Sequence, residues 1–115
     1  VQRVHFPGLA SHPQHALARA QMSDFGTIVT VELDGTADHA RVFVEALELF
    51  GMTASLGSTE SLVMPPHFLQ PRELPPEQRE ISGIRETTVR LSIGLEDAQD
   101  LIADLSRALE RAYAG

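Results

Sequence analysis

An arginine in the middle of an apolar run is the residue of this sequence best suited to binding chemistry. Residues 89–93 read Val-Arg-Leu-Ser-Ile, and the two-residue period of a strand sends the three apolar side chains to one face and Arg90 to the other. A guanidinium group placed there is costly unless an anion meets it. Two interpretations stay open: an internal ion pair with a glutamate, or a clamp that binds a carboxylate through two parallel hydrogen bonds.

Two histidines suggest a metal site less strongly. His12 and His15 are three residues apart, so on a helix both imidazoles would share one face. This spacing fixes no third ligand, and Pro13 places the pair at a helix start, where capping and solvent exposure explain them. We therefore predict that the chain has no metal site.

Serines raise the question of a nucleophile. Ser55 and Ser61 lie outside any Gly-x-Ser-x-Gly elbow, and the sequence identifies no base beside either. A hydrolase is thus the weakest hypothesis, and we predict no catalytic residue in this chain. The turn at residues 57–59, Gly-Ser-Thr, offers amides and hydroxyls to an anion, although a polar turn between two strands is the interpretation we favour.

A strand and the helix that follows it must position Arg90. Gly94 permits a sharp turn, and Glu96, Asp97 and Asp100 then occupy the place where the positive end of a helix dipole favours anions. Apolar residues at steps of three and four predict that helix. They are Ala98, Leu101, Ile102, Leu105, Ala108, Leu109 and Ala112.

The rest of the pattern alternates helices and strands. The predicted elements are a helix capped by Ser11 and running to about 22, a strand at 27–33, a helix at 36–50 with Gly51 after it, strands at 52–56 and 62–64, a proline-rich loop at 65–76 and helical turns at 77–82. This order predicts an α+β fold in which helices pack on one face of a small, largely antiparallel sheet.

Composition bounds the class of protein. A chain of 115 residues fits one domain, and its sequence shows neither a signal peptide nor an apolar run of the ~20 residues that a membrane helix needs. The net charge of −7 argues against a nucleic-acid partner, because phosphate binding needs clustered cations. The absence of cysteine is compatible with a reducing compartment, and we expect a cytoplasmic protein.

Lysine is absent as well. All nine basic residues are arginines, so no mechanism that needs a lysine amine is completed by this chain.

Four stretches carry motifs in a fixed order. They are Phe-Pro-Gly-Leu-x-Ser-His-Pro at 6–13, Ser-Leu-Gly-x-x-Glu-Ser-Leu at 55–62, Arg-x-x-x-Gly-Ile at 79–84 and Val-Arg-Leu-Ser-Ile-Gly-Leu-Glu-Asp-x-x-Asp-Leu at 89–101. In order and spacing they resemble the C-terminal domain of the Cys/Met metabolism pyridoxal-phosphate (PLP) enzymes. That family includes cystathionine synthases and lyases, methionine γ-lyase and homoserine-ester sulfhydrylases.

The resemblance implies a division of labour between two domains. It implies that residues 1–115 are the small C-terminal domain of a fold-type I enzyme, with 1–13 leading in from a missing large domain that binds pyridoxal 5′-phosphate. It also implies that Arg90 grips the α-carboxylate of an amino-acid substrate and that the Ser55 backbone assists. The implied reactions are β- or γ-elimination or replacement on a homoserine ester, methionine or a cysteine derivative, in a homo-oligomer.

Two departures from the family pattern bear on the substrate. Leu-Gln-Pro at 69–71 stands where the family often has Met-Thr-His, so a polar contact near the substrate is lost. Ala54 stands where members that recognise the distal amine of cystathionine often carry glutamate, which favours another substrate. The alternative to the enzyme hypothesis is a non-catalytic α+β binding or assembly module in which Arg90 pairs internally or with a partner.

Overall fold

One five-stranded sheet organises the chain. The computed structural model describes residues 1–69 and 74–114. The strands in those residues are β1 (Arg3–His5), β2 (Ile28–Glu32), β3 (Gly51–Met52), β4 (Leu62–Met64) and β5 (Thr88–Ser92). Their order across the sheet is β1-β2-β5-β4-β3, and every neighbouring pair is antiparallel except β3 and β4. The predicted α+β fold with a largely antiparallel sheet is therefore confirmed.

Two long helices cover one face of this sheet. The helices of the described residues are α1 (His15–Gln21), α2 (Ala37–Ala46), α3 (Pro66–Leu69), α4 (Pro76–Ser82) and α5 (Ala98–Ala112). Phe43 of α2 and Ala108 of α5 are buried against strand residues such as Val63 and Val89. None of the helices in the described ranges is long and apolar enough to cross a membrane.

The central strand β5 separates the core from a polar face. Val89 pairs with Val31, and Leu91 pairs with Val63, so these side chains share the face that α2 and α5 cover. Arg90 lies between them in sequence and therefore projects from the opposite face, as the alternation predicted. We call this opposite side the polar face; it carries His5, Thr30, Glu32, Thr88 and Arg90.

The start of α5 also agrees with the sequence pattern. The Asp97 side chain accepts hydrogen bonds from the amides of Gln99 (2.9 Å) and Asp100 (3.2 Å), which otherwise lack partners in the first helical turn. Leu101 and Ala108 of the predicted apolar stripe are buried. The helix that follows Arg90 is thus anchored at its first turn and along its apolar face.

The N-terminal segment differs from the prediction in two respects. Residues 3–5 form an edge strand, β1, which the proline-punctuated sequence did not indicate. Helix α1 begins at His15 and not directly after Ser11, because the chain first makes two consecutive turns, closed by the bonds from the His12 amide to the Leu9 carbonyl and from the His15 amide to the His12 carbonyl. Pro13 therefore lies in a turn.

Helix α2 is shorter than predicted. Its apolar spacing continues to Phe50, and both Leu47 and Phe50 are buried, yet the helix ends at Ala46. The amides of Glu48 and Leu49 bond instead to the carboxylate of Asp104 on α5. A contact between two distant segments ends this helix, so Gly51 is the first residue of β3 and does not terminate α2.

The segment between α2 and β5 departs from the prediction at two places. The strand predicted at 52–56 is limited to β3, and residues 53–56 leave the sheet. The loop predicted at 65–76 contains the short helix α3, while its residues 70–73, including most of the Leu-Gln-Pro departure, lie outside the described residues. The predicted turns at 77–82 form α4, which ends at Gly83 in the left-handed conformation.

Candidate carboxylate-binding site

Arg90 and Ser55, the two predicted substrate-binding residues, lie together on the polar face. Nη2 of Arg90 donates a hydrogen bond to the backbone carbonyl of Ser55 at 3.2 Å. The two residues are 35 positions apart in sequence, and the loop after β3 brings them into contact. Ser55 contacts Arg90 through its backbone carbonyl, and its exposed side-chain hydroxyl takes no part in this hydrogen bond.

The guanidinium group of Arg90 keeps hydrogen-bonding capacity to spare. Its Nε atom is buried and has no hydrogen-bond partner, and within residues 1–69 and 74–114 no carboxylate lies within ion-pair distance of Arg90. Leaving a buried N–H without an acceptor costs about 1–3 kcal/mol. The internal ion pair considered from the sequence is thus not found in those residues.

A network of hydrogen bonds fixes the loop that carries the Ser55 carbonyl. We call residues 55–61 the Ser55–Ser61 loop, and residues 92–96, between β5 and α5, the 92–96 turn. The Gly57 amide donates to the Ser92 hydroxyl (2.9 Å), and the Leu95 amide donates to the Thr59 carbonyl (2.8 Å). The loop is therefore tied to the end of the strand that carries Arg90.

The Ser61 hydroxyl is part of this network and not a free nucleophile. Ser61 is fully buried; its amide donates to Oε2 of Glu96 (3.0 Å) and its hydroxyl donates to Oε1 (2.8 Å). The Gly94 amide donates to the Ser61 hydroxyl oxygen (2.8 Å). The bonds from the Ser61 backbone and side chain lower the pKa of the Glu96 carboxyl. Neither Ser61 nor the exposed Ser55 has a histidine hydrogen-bonded to its hydroxyl in the described chain.

The role of Glu96 was not predicted from the sequence. An acidic residue just before a helix was attributed to the helix dipole, and that local explanation was sufficient without a distant partner. Ser61 and Glu96 belong to the motif stretches at 55–62 and 89–101, but no local pattern pairs the two residues. Ser61 comes directly before β4, and Glu96 follows β5. The two residues are recognisable as partners only once β4 and β5 are known to be neighbours in the sheet.

Close packing at Gly94 gives a stability prediction. A Cβ atom at this position would lie 2.4 Å from the Thr59 carbonyl oxygen and 2.6 Å from the Ser61 nitrogen, both backbone atoms. We expect Gly94→Ala to lower the free energy of unfolding by about 1–3 kcal/mol, measured by urea unfolding. Gly51→Ala is the matched control, because its Cβ atom would meet only the end of the Leu62 side chain at 3.5 Å; an equal loss in both variants would contradict the close approach.

A cavity also lies on the polar face. It has a volume of about 680 Å³ and is lined by β1, β2 and the end of α4. Glu32 is among its lining residues, and its carboxylate oxygens lie 3.9 Å from Nε of Arg3 and 3.5 Å from Nε2 of His5. Arg90 does not line this cavity, so we do not assign it to the carboxylate site.

The predicted metal-site candidates have structural contacts instead. His12 accepts a hydrogen bond from the Gln14 amide (3.0 Å), and Nδ1 of His15 bonds to the Pro7 carbonyl (2.7 Å) while its ring stacks on Phe25. Throughout the described ranges, no three histidine, aspartate or glutamate side chains converge as metal ligands would.

Comparison with known proteins places this chain among relatives that are about three times longer. The family described as "Cys/Met metabolism PLP-dependent enzyme" matches residues 1–110. Cystathionine gamma-lyase of Dictyostelium discoideum is 43% identical over 111 residues, which cover 96% of this chain and 29% of that protein. L-methionine gamma-lyase of Pseudomonas putida is 47% identical over 110 residues, which cover 96% of this chain and 28% of that protein.

Comparison with a solved structure shows a shared fold as well. Cystathionine gamma synthase of Xanthomonas oryzae pv. oryzae, crystallised in complex with cystathionine, superimposes with a TM-score of 0.91 at 44% identity, over 99% of this chain and 30% of that one. The matched part of each relative is thus less than a third of its length. With a family match over nearly its whole length and a shared fold, the chain belongs to the Cys/Met metabolism PLP-dependent enzyme family.

Proposed function

We propose that this chain is the C-terminal, substrate-carboxylate-binding domain of a PLP-dependent enzyme of sulfur amino-acid metabolism. Arg90 binds the α-carboxylate of the substrate, and the Ser55 carbonyl holds the guanidinium group in place. The observation that carries the proposal is the state of Arg90: one terminal nitrogen is bonded to Ser55, whereas the buried Nε atom has no acceptor. A carboxylate that reaches the guanidinium group would accept two parallel bonds from its N–H groups.

The cofactor is not held by this chain alone. PLP-dependent catalysis of this type needs a lysine amine, and the sequence contains no lysine. PLP, when bound, supplies the electron sink for chemistry at the substrate Cα atom. In this proposal the lysine and the cofactor belong to the remaining part of an enzyme of the relatives' length, and the present chain contributes orientation of the substrate.

Orientation by Arg90 has a simple chemical meaning. Two parallel N–H···O bonds fix the plane of a carboxylate as well as its position, which one ammonium group does not do. Since the carboxylate is attached directly to the substrate Cα atom, fixing that plane also limits rotation of the bonds at Cα. Arg90 therefore acts in binding and orientation, with no proton transfer assigned to it.

The proposed substrates are a homoserine ester, methionine or a cysteine derivative, converted by β- or γ-elimination or replacement. The names of the relatives support this class, because they act on cystathionine or methionine. Ala54, an exposed residue beside Ser55, supports a substrate other than cystathionine through the departure described above. A homo-oligomeric enzyme in the cytoplasm remains a prediction, and a solution mass of the complete enzyme tests its oligomeric state.

The preference of the site for a carboxylate is tested by ligand competition in the complete enzyme. Propionate and propionamide differ in charge but hardly in size, so we expect propionate to compete with substrate at least about 10-fold better, the effect of one charge-assisted hydrogen bond. Arg90→Gln should remove that preference. Arg111→Gln, which removes an exposed cation on α5, is the matched control and should keep it.

A different outcome would favour the alternative function. If Arg90→Gln leaves the preference for propionate intact, Arg90 does not bind the carboxylate. The chain would then be better described as a non-catalytic binding or assembly module.

A further inference from the structure

The Ser55 carbonyl belongs to an exposed loop whose side chains do not pack into the core. Residues 54–60 are all exposed, and the loop becomes buried only at Ser61. Exposed loops without buried side chains normally sample several conformations. The position of the Ser55 carbonyl next to Arg90 therefore depends on the hydrogen bonds that tie the loop down.

Glu96 makes the strongest of these attachments. Each of its carboxylate oxygens accepts one bond from Ser61, at 2.8 Å from the hydroxyl and 3.0 Å from the amide. The same serine hydroxyl accepts the Gly94 amide, so one buried residue is joined to the 92–96 turn by three bonds. Bonds to a charged acceptor are about twice as strong as those between neutral groups.

We propose that Glu96 is a positioning residue of the carboxylate clamp, acting through Ser61 on the Ser55 carbonyl and so on the orientation of Arg90. The proposal rests on the proposed function of Arg90. Glu96 itself touches neither substrate nor cofactor in this arrangement. Its carboxylate is hydrogen-bonded to one end of the Ser55–Ser61 loop, while Ser92 holds the middle of the loop through Gly57.

The chemistry of the contact explains why a carboxylate is required. Both groups of Ser61 that face Glu96 donate to it, and a carboxylate accepts both bonds as a charged acceptor. The amide of glutamine offers one neutral acceptor to the Ser61 N–H, and its NH₂ group donates to the hydroxyl oxygen instead of accepting from it. Glu96→Gln therefore keeps the size of the side chain and replaces two bonds to a charged acceptor with weaker, neutral ones.

The test is a double-mutant cycle in the complete, PLP-loaded enzyme, with propionate as the ligand. Glu96→Gln should weaken propionate binding by about 10-fold, the effect of replacing two bonds to a charged acceptor with neutral ones, and should leave propionamide binding unchanged. In the Arg90→Gln background the same substitution should have no further effect on propionate, because the group that it positions is gone. Glu110→Gln, an exposed carboxylate on α5, is the control for the loss of charge.

A second variant covers the case in which Glu96→Gln does not fold. Ser92→Ala removes only the bond to the Gly57 amide, and it should produce a smaller loss of the same kind, again absent in the Arg90→Gln background. A crystal structure of either variant provides a readout without activity: the distance from Arg90 Nη2 to the Ser55 carbonyl, 3.2 Å here, should increase.

The experiment gives different results if the proposed function of Arg90 is wrong and if only the proposed role of Glu96 is wrong. If Arg90→Gln itself does not change propionate binding, the proposed function is wrong. If Arg90→Gln weakens binding, whereas Glu96→Gln has no effect, affects propionamide equally or adds its full effect in the Arg90→Gln background, the clamp stands and the positioning role of Glu96 is overturned.

Discussion

Replacing Arg90 with alanine is expected to lower kcat/KM of the complete enzyme by about 2–5 kcal/mol of transition-state binding. The loss should appear largely in KM, because the proposed bonds to the α-carboxylate would be made in the bound substrate as well as in the transition state. Arg90→Lys should recover only part of the function, since lysine keeps the charge and loses the planar pair of donors. Steady-state kinetics on the two variants measure both effects.

Thermal unfolding of the same variants separates this prediction from its rival. Arg90 projects from the polar face, opposite Val89 and Leu91, and its one bond within the described chain is to Ser55. Its removal should therefore change the melting temperature little. A destabilised Arg90→Ala protein with a normal KM would overturn the clamp and support an internal structural role.

The largest effect on stability is expected at Asp104. Its side chain is 4% exposed and pairs with Arg107, and its oxygens accept the Glu48 and Leu49 amides at 2.8–3.1 Å. Asp104→Ala leaves those amides and the guanidinium group without their acceptor, so we expect a loss of about 3–5 kcal/mol in the free energy of unfolding. Urea unfolding of the chain measures it. Asp100→Ala, an exposed carboxylate in the same helix, should cost well under about 1 kcal/mol.

The contacts of the Asp104 carboxylate should also make the free energy of unfolding depend on pH. Burial raises the pKa of Asp104, but the bonds from the Leu49 and Glu48 amides and from Arg107 outweigh it and lower the pKa below the ordinary value of 3.8. The contribution of Asp104 is thus fully present above about pH 4 and is lost as the pH falls through the lowered pKa. The difference in stability between the wild type and Asp104→Ala should shrink on acidification below about pH 4. A constant difference from pH 7 to about pH 2 would contradict this assignment.

Local rules predicted the elements whose signals lie within one segment. The alternation at 89–93 placed Arg90 on the face away from the core, and the apolar steps after Asp97 predicted α5. Both features depend on strand and helix periodicity, which a short stretch of sequence contains in full.

The errors arose where a distant residue competes with a local pattern. The spacing of Leu47 and Phe50 is helical, yet Asp104 on another helix captures the amides after Ala46 and ends α2 early. In the same way, Arg90 and Ser92 bind backbone groups of residues 55–57, so the strand predicted there is not formed. No local rule contains these contacts, because their partners are 35 to 56 residues apart.

The candidate site was predicted in part for the same reason. The alternation at 89–93 placed Arg90 on the face away from the core, and the family resemblance indicated the Ser55 backbone as its neighbour; the two are in contact. The sequence did not indicate the hydrogen bonds between Ser61 and Glu96, since each residue had a sufficient local explanation. Residues that act through another residue leave no periodic signal of their own.

The central position of β5 governs the order in which this protein is able to fold. Strand β2 and strand β4 both pair with β5 and not with each other, and the pairing of β2 with β5 joins residues about 60 positions apart, Ile28 with Ser92 among them. During synthesis, neither half of the sheet gains its central partner until residue 92 has left the ribosome. Such long-range closure slows folding, and the edges of β2 and β4 stay open to intermolecular pairing until then. A chain truncated before Thr88 would therefore be expected to aggregate and not to form a smaller version of the fold.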